Sequence, residues 1–518
     1  MSSLIFLLTV LILSGGYFFY GRFIRNILVI DEKRKTPAFT SYDGADYVPA
    51  KNWLILFGHH FASIAGAGPI VGPVLAYMWW GWLGVLFWIV FGSIFIGALH
   101  DFVSLFVSVR EEGKSIGQIA TKYVSKRAGI VFLIFLWFAL VIVISVFASI
   151  CAKSFINQPK IVFPSLGLIP VAVLIGIFIY RFKINTFLST LLGLMLLVLL
   201  ILLGDKFPIF LNIKNPYLFW LILLFIYAFF ASIIPVNILL QPRDYLSSFL
   251  LFFGIIVAFL GIFLKPLPVS GANFFKFTSS AGSFFPLMFI TVACGAISGF
   301  HSLVCSGTTS KQIASEKDLQ RIGYGAMILE AILASIALIC VAFGLKDIAQ
   351  DKTAIEIFAL GFKRIVFFLG DYANFIALVI LNAFILTTLD TATRITRFLT
   401  QELFRLRNKY FSTFLVIGVS SYLCISGNWQ ILWPMFGASN QLVAGLALIV
   451  VSAYLKKKQK NYKITLIPAF ILFLITLSSL ILKAKEFFSE NNFLLFGISL
   501  ILILLGIFII WEARKKNA

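Results

Sequence analysis

Apolar stretches about as long as a bilayer is thick recur along this 518-residue chain. They lie near 3–20, 53–77, 82–109, 129–151, 166–180, 184–203, 217–234, 246–264, 284–307, 323–344, 365–389, 411–426, 429–454, 464–482 and 493–511. About 20 apolar residues at 1.5 Å each cover a hydrocarbon core of ~30 Å. Composition points the same way: 60% of residues are hydrophobic and 12% charged, where a soluble domain is nearer half and a quarter. The expectation is an all-α polytopic membrane protein with about 15 transmembrane segments and no soluble domain.

The net charge of +21 does not imply nucleic acid, because the basic residues are scattered among short loops. With the N-terminus outside, the inner loops and C-terminal tail hold 30 of the 42 Lys and Arg. This is the positive-inside bias, and it predicts an outer N-terminus and an inner C-terminus. The first stretch follows Met-Ser-Ser and is not followed by an A-x-A-like cleavage site, so it reads as a retained helix. The five cysteines are odd in number and form no CxxC, which suggests neither a disulfide framework nor a zinc ribbon.

Residues 53–77, WLILFGHHFASIAGAGPIVGPVLAY, contain no Asp, Glu, Lys or Arg. Yet Gly66, Gly68, Pro69, Gly72 and Pro73 crowd the middle. Both prolines lack a backbone donor and crowd the preceding turn. Backbone freed in this way cannot face lipid and has to line a protein-enclosed cavity or find other partners. The plainer alternative is a kinked helix packed on a neighbour. A second interruption is expected at FASIIPVNILLQPRDY, residues 230–245, with Pro235 and Pro242. It comes five segments later and so crosses in the opposite direction. Two interrupted helices so placed point to an inverted-repeat transporter. On this reading residues 1–52 are a peripheral helix and inner loop, 53–203 the first repeat, 217–389 the second, and 390–518 additional helices.

Intramembrane ionisable groups are costly and mark bundle interiors or water-filled paths. All four histidines, His59, His60, His100 and His301, lie in apolar segments, and Asp101 follows His100. Depth counting places them in one inner-side layer. Histidine titrates near neutrality, so the layer suits a coupling proton; neutral imidazoles also suit a transition metal; simple hydrogen bonding between helices is the third use. Glu330, Asp371 and Asp390 sit within or near the ends of later segments. Hydroxyls after Gly295, among them Ser298, Ser302, Ser306, Thr308 and Thr309, offer oxygen ligands to a cation or simply permit close packing.

Six stretches together resemble one family: DGADYVPAKNW (43–53), LFGHHFASIAGAGPIVGP (56–73), QPRDYLS (241–247), SGFHSLVCSGTTSKQ (298–312), LDTATRITRFLTQE (389–402) and WPMFGASNQLVAGLAL (433–448). They are similar to the carbon starvation A family. That resemblance implies peptide or pyruvate transport across the cytoplasmic membrane of a prokaryote, and a LeuT-like five-plus-five fold with extra peripheral helices. Ala50, Ser247 and Ser310 depart slightly from the family pattern. Half-helix amide ends suit a carboxylate, and both substrate classes carry one. Substrate contacts are therefore expected at Gly66, Ala67, Gly68, Pro69, Ser232, Ile233, Asn237 and Gln241. Proton or cation coupling, with a proton favoured over sodium, is expected at His59, His60, His100, Asp101, Ser298, His301 and Ser302. A metal, if bound, would sit on His59, His60, His100 and His301; no other cofactor is implied, and the partners are the substrate and the lipid bilayer. A membrane metalloenzyme and a non-transporting nutrient sensor are the rival readings.

Overall fold

The computed structural model describes residues 2–268, 274–345, 352–427 and 435–515. Its helices include α1 Ser2–Leu28, α2 Trp53–Ile64, α3 Gly68–Trp80, α4 Trp82–Arg110, α5 Lys126–Asn157, α6 Pro159–Arg181, α7 Thr186–Lys206, α8 Pro216–Ile233 and α9 Leu240–Leu264. Next come three short pieces, α10 Phe284–Thr291, α11 Ala293–Ala296 and α12 Gly299–Gly307. They are followed by α13 Glu316–Ala342, α14 Tyr372–Phe404, α15 Lys409–Ile425, α16 Phe436–Lys457, α17 Lys463–Ser489 and α18 Phe493–Lys515. Among the described residues, 12 helices are long and apolar enough to span a bilayer, or 13 if the bent pair α2–α3 is one span. The two remaining expected segments are the fragmented α10–α12 and the shorter apolar α15. The expected segment 429–454 begins in residues outside those described.

α5 packs along α14, α2 along α9, α3 against α13 and α16 against α12. α1, α7 and α18 bury little of their surface, and large apolar side chains such as Phe19, Phe187 and Leu504 stand exposed on them. In a chain built of apolar spans, such surfaces face lipid. This is a multi-pass membrane protein.

The first break occurs where expected. α2 ends at Ile64, Ala65 leaves helical geometry at φ −76°, ψ 61°, and α3 restarts at Gly68 with Pro69 in its first turn, where a missing N–H costs nothing. The two halves are bent by 41°.

The second break is not where the prolines suggested. α8 runs unbroken to Ile233, and residues 234–239 join it to α9 instead of interrupting a helix. Pro242 sits in the first turn of α9, where proline is tolerated. The interruption lies in α10–α12, where Ile297 (φ −164°, ψ 130°) and Ser298 (φ −132°, ψ 128°) are extended. No proline breaks this point. One side chain from α16 holds this point: Asn440 Oδ1 accepts from the freed Phe300 N at 2.9 Å, and Asn440 Nδ2 donates to Ser298 Oγ at 3.0 Å.

Candidate functional site: a cavity between two broken helices

The two breaks face each other. A Cβ added at Gly72 would meet the Thr291 carbonyl oxygen at 2.6 Å, and one added at Gly68 would meet Cys294 Sγ at 2.5 Å. Only glycine lets α3 approach the α10–α11 backbone so closely. Between them opens a cavity of about 700 Å³. Its deeper walls include Gly66, Ala67, Gly68, Pro69, Cys294, Ser298, Asn382, Thr388 and Asn440. Its other end reaches Lys153, Asn157, Gln158, Glu356 and Lys483, at the helix ends opposite the basic loops.

Two helix N-termini meet this space, α3 at Gly68 and α12 at Gly299. The Ala67 and Ser298 side chains cap neither. The remaining polar lining is uncharged at depth. Thr388 Oγ1 is buried without a hydrogen-bond partner among the described residues, beside the place a Gly66 Cβ would occupy, 2.8 Å away. Most of the rest is aliphatic or aromatic, including Ile64, Val143, Phe147, Ile290, Phe300 and Ile385.

The histidine layer splits in two. His59 turns Nδ1 to Asp244 on α9 at 2.6 Å and Nε2 to Gln312 at 3.2 Å. Gln312 is held in turn by Gln241, itself bonded by Tyr180. On the other side, His100 and His301 each direct Nδ1 at a different oxygen of Asp101, at 2.8 and 2.9 Å. His301 Nε2 lies 3.4 Å from Glu330 on α13. His60 Nδ1 meets Thr309 Oγ1 at 2.8 Å. All of these histidines and carboxylates are buried. Among the described residues no group of three or more His, Cys, Asp or Glu is arranged to hold a metal ion. The hydroxyls after Ser298 are largely occupied: Ser302 donates to Gly299 O, Ser306 to Ser302 O and Thr308 to Val304 O.

The opposite end is closed. Residues 21–52 cross it. The Asp43 carboxylate accepts from the N–H groups of Ala45, Asp46 and Tyr47, which presents Asp46 to α14. Arg394 reaches Asp46 at 2.5 Å and Arg397 at 2.9 Å, and Arg394 also donates to the carbonyls of Ala231 and Ile234. Burial alone would raise the Asp46 carboxyl pKa, but Arg394 and Arg397 more than offset it and hold it below the ordinary value. Ala50 N donates to Gln312 O at 2.9 Å, and Arg110 pairs with Glu316 at 2.7 Å. Deeper, Arg243 pairs with Asp390, which also accepts from Tyr227.

Of the expected substrate contacts, Gly66, Ala67, Gly68 and Pro69 line the cavity. Ser232, Ile233, Asn237 and Gln241 do not; they belong to the closed end, where Ser232 meets Thr413 and the Ile233 carbonyl accepts from Lys409. Ser298 lines the cavity. Asp371 sits on the surface, paired with Lys363. Asn440, Asn382, Thr388 and Cys294 were not singled out from sequence. Asn440 lies in the quoted GASNQLVAG stretch, where an amide within an apolar run was the available signal.

The family model described as carbon starvation protein CstA matches residues 1–355 and 342–479. A peptide transporter CstA of Helicobacter pylori is 35% identical over 91% of this chain and 80% of its own. A peptide transporter CstA of Bacillus subtilis is 32% identical over 98% and 95%. The pyruvate/proton symporter BtsT of Escherichia coli is 30% identical over 92% and 80%. Among solved structures, an Eremococcus coleocola manganese transporter is similar with TM-score 0.52 and 15% identity, covering 92% of this chain and 99% of its own. MhsT in complex with L-phenylalanine is similar with TM-score 0.53 and 12% identity, covering 90% and 99%. These neighbours have the LeuT fold; at such identity the likeness speaks of fold alone.

Proposed function

The chain belongs to the carbon starvation protein CstA family, whose named relatives are transporters and not enzymes, and on that premise we propose that it imports peptides or pyruvate by alternating access, driven by a proton gradient. The observation that carries this reading is the cavity between two facing helix breaks. Each break points a helix N-terminus, at Gly68 and Gly299, toward the same space. The partial positive charge at helix starts favours a carboxylate without any lysine or arginine at depth. Ser298, Thr388 and Asn440 supply uncharged hydrogen-bonding groups beside them. The volume lies within the ~300–1,000 Å³ range of small-molecule sites. It exceeds what a three-carbon acid fills, which favours peptides over pyruvate.

The repeat is re-paired accordingly. Residues 53–264 form one half and 284–457 the other, with the α6–α7 hairpin inserted in the first. α2–α3 and α10–α12 are then the equivalent discontinuous helices, seven segments apart and oppositely directed. Equivalent contacts support the pairing: α2 meets α9 as α10 meets α16, and α8 meets α14 as α15 meets α5. The basic loops face the cytoplasm of the inner membrane, so the cavity opens outward while the Asp46 contacts close the inner end.

Uptake of labelled pyruvate and of labelled di- and tripeptides into the same proteoliposomes, under imposed proton or sodium gradients, tests the reading. Accumulation of a peptide with a proton gradient is the expected result. Chemical conversion of the probe would instead support an enzyme, and binding without entry a sensor.

A further inference from the structure

His301 stands on α12, three residues beyond Ser298 in the cavity wall. Asp101 receives Nδ1 of His100 on one oxygen and Nδ1 of His301 on the other. An ionised carboxylate only accepts, so both Nδ1 atoms carry hydrogen. The far side of the His301 ring then sets the chemistry. Nε2 faces Glu330 Oε2 at 3.4 Å, and the Ile64 carbonyl at the end of α2 faces the same ring. Both are acceptors. A bare Nε2 would set its lone pair against theirs, so a proton has to lie in this gap, on the imidazole or on Glu330. Neither Glu330 oxygen has a hydrogen-bond partner among the described residues, and the side chain is wholly buried. Stripped of that proton, the pair leaves a buried carboxylate uncompensated, a strongly unfavourable state.

We propose that His301 and Glu330 together form the binding site of the coupling proton, a proposal that rests on the transport reading above. Other titratable groups stand around the pair: Asp101 of α4 and His60 of α2 face His301, Cys294 of α11 faces Glu330, and His100 of α4 and Cys305 of α12 face Asp101. The proton arrives from the outer cavity, forms an N–H or O–H bond in the gap, and leaves toward the inner side when that bond breaks; no other bond changes. The pair joins α12, just past its break, to the continuous α13. Any displacement of α12 relative to α13 changes the gap that holds the proton, so proton occupancy and the position of the cavity wall are linked.

The test uses the full chain in proteoliposomes. Labelled pyruvate and labelled dialanine are followed under an imposed pH gradient and, separately, in exchange without one. Infrared difference spectra across pH are recorded on the same protein without substrate. With one proton per substrate, each pH unit supports about tenfold accumulation. Glu330→Gln should reduce this to about onefold while the probe still equilibrates by exchange, and a pH-dependent carboxyl C=O band should vanish with it. His301→Gln carries the same transport test if the first variant does not fold. Gradient-driven accumulation equal to wild type in either folded variant, or a carboxyl band unaltered by Glu330→Gln, overturns the proposal. If wild-type protein moves neither probe, the transport reading is what fails, and the band difference still decides whether the pair takes up a proton.

Discussion

The contact between Gly68 and Cys294 makes a stringent test of the cavity floor. A Cβ at position 68 would stand 2.5 Å from Cys294 Sγ and would also collide with its Cβ, where ordinary contact is 3.4–4 Å. The Cβ cannot swing away as a side-chain tip can. One helix must therefore retreat by about 1 Å, and overpacking of this kind costs ~1–3 kcal/mol. Since ~1.4 kcal/mol is tenfold, Gly68→Ala should weaken substrate binding or deplete the substrate-ready conformation about five- to 150-fold. Gly68→Leu should abolish uptake. The assay is initial uptake against substrate concentration, with size-exclusion profiles to establish folding. Cys294→Gly combined with Gly68→Ala should restore most activity because it removes both colliding atoms; Cys294→Ser should not, since it keeps Cβ. Wild-type uptake by Gly68→Ala, or a double variant no better than the single, would refute the argument that these two breaks must touch.

Four further outcomes are expected. Asn440→Ala strips the α12 N-terminus of its partner and should cost ~1–3 kcal/mol, read as a raised KM with smaller change in kcat. Removing one partner of a buried ion pair costs ~3–5 kcal/mol, so Asp46→Ala should lower the melting temperature and open the inner end; an unchanged melting temperature counts against the latch. Cys294 should react with a membrane-impermeant maleimide in intact cells, more slowly in Asp46→Ala and with substrate present. In a background lacking the native cysteines, single cysteines in loops 110–128 and 390–410 should stay protected from the same reagent, and ready labelling at both would reverse the orientation.

The two breaks show what the sequence could and could not disclose. The first announces itself by the crowding of two prolines and three glycines within eight residues, although the helix breaks at Ala65 and resumes through Gly72 and Pro73. The second carries no such mark. Ile297 and Ser298 are extended because Asn440, far along the chain, bonds the backbone and side chain at that point, and a distant partner leaves no local trace. Proline misled for a related reason: Pro235 lies in the turn between α8 and α9 and Pro242 in the first turn of α9, roles that spacing alone does not separate from breaking a helix. The histidines were legible as buried, but not their grouping. His59 and His60 are adjacent and so point about 100° apart on a helix, one toward Asp244 and the other toward the side of Asp101.

The sequence distance spanned by the Asp46 contacts bears on how the protein is made. Asp46 leaves the ribosome early, whereas Arg394 and Arg397 follow some 350 residues later. Until α14 has been inserted, the 43–50 loop lacks its ion-pair partners and is held by weaker contacts such as that of Ala50 N to Gln312 O, which leaves it more open to proteases. Chains truncated before residue 394 should therefore be clipped in this loop, and the completed chain should not. Closure of this end is thus completed only once the second partner has been synthesised.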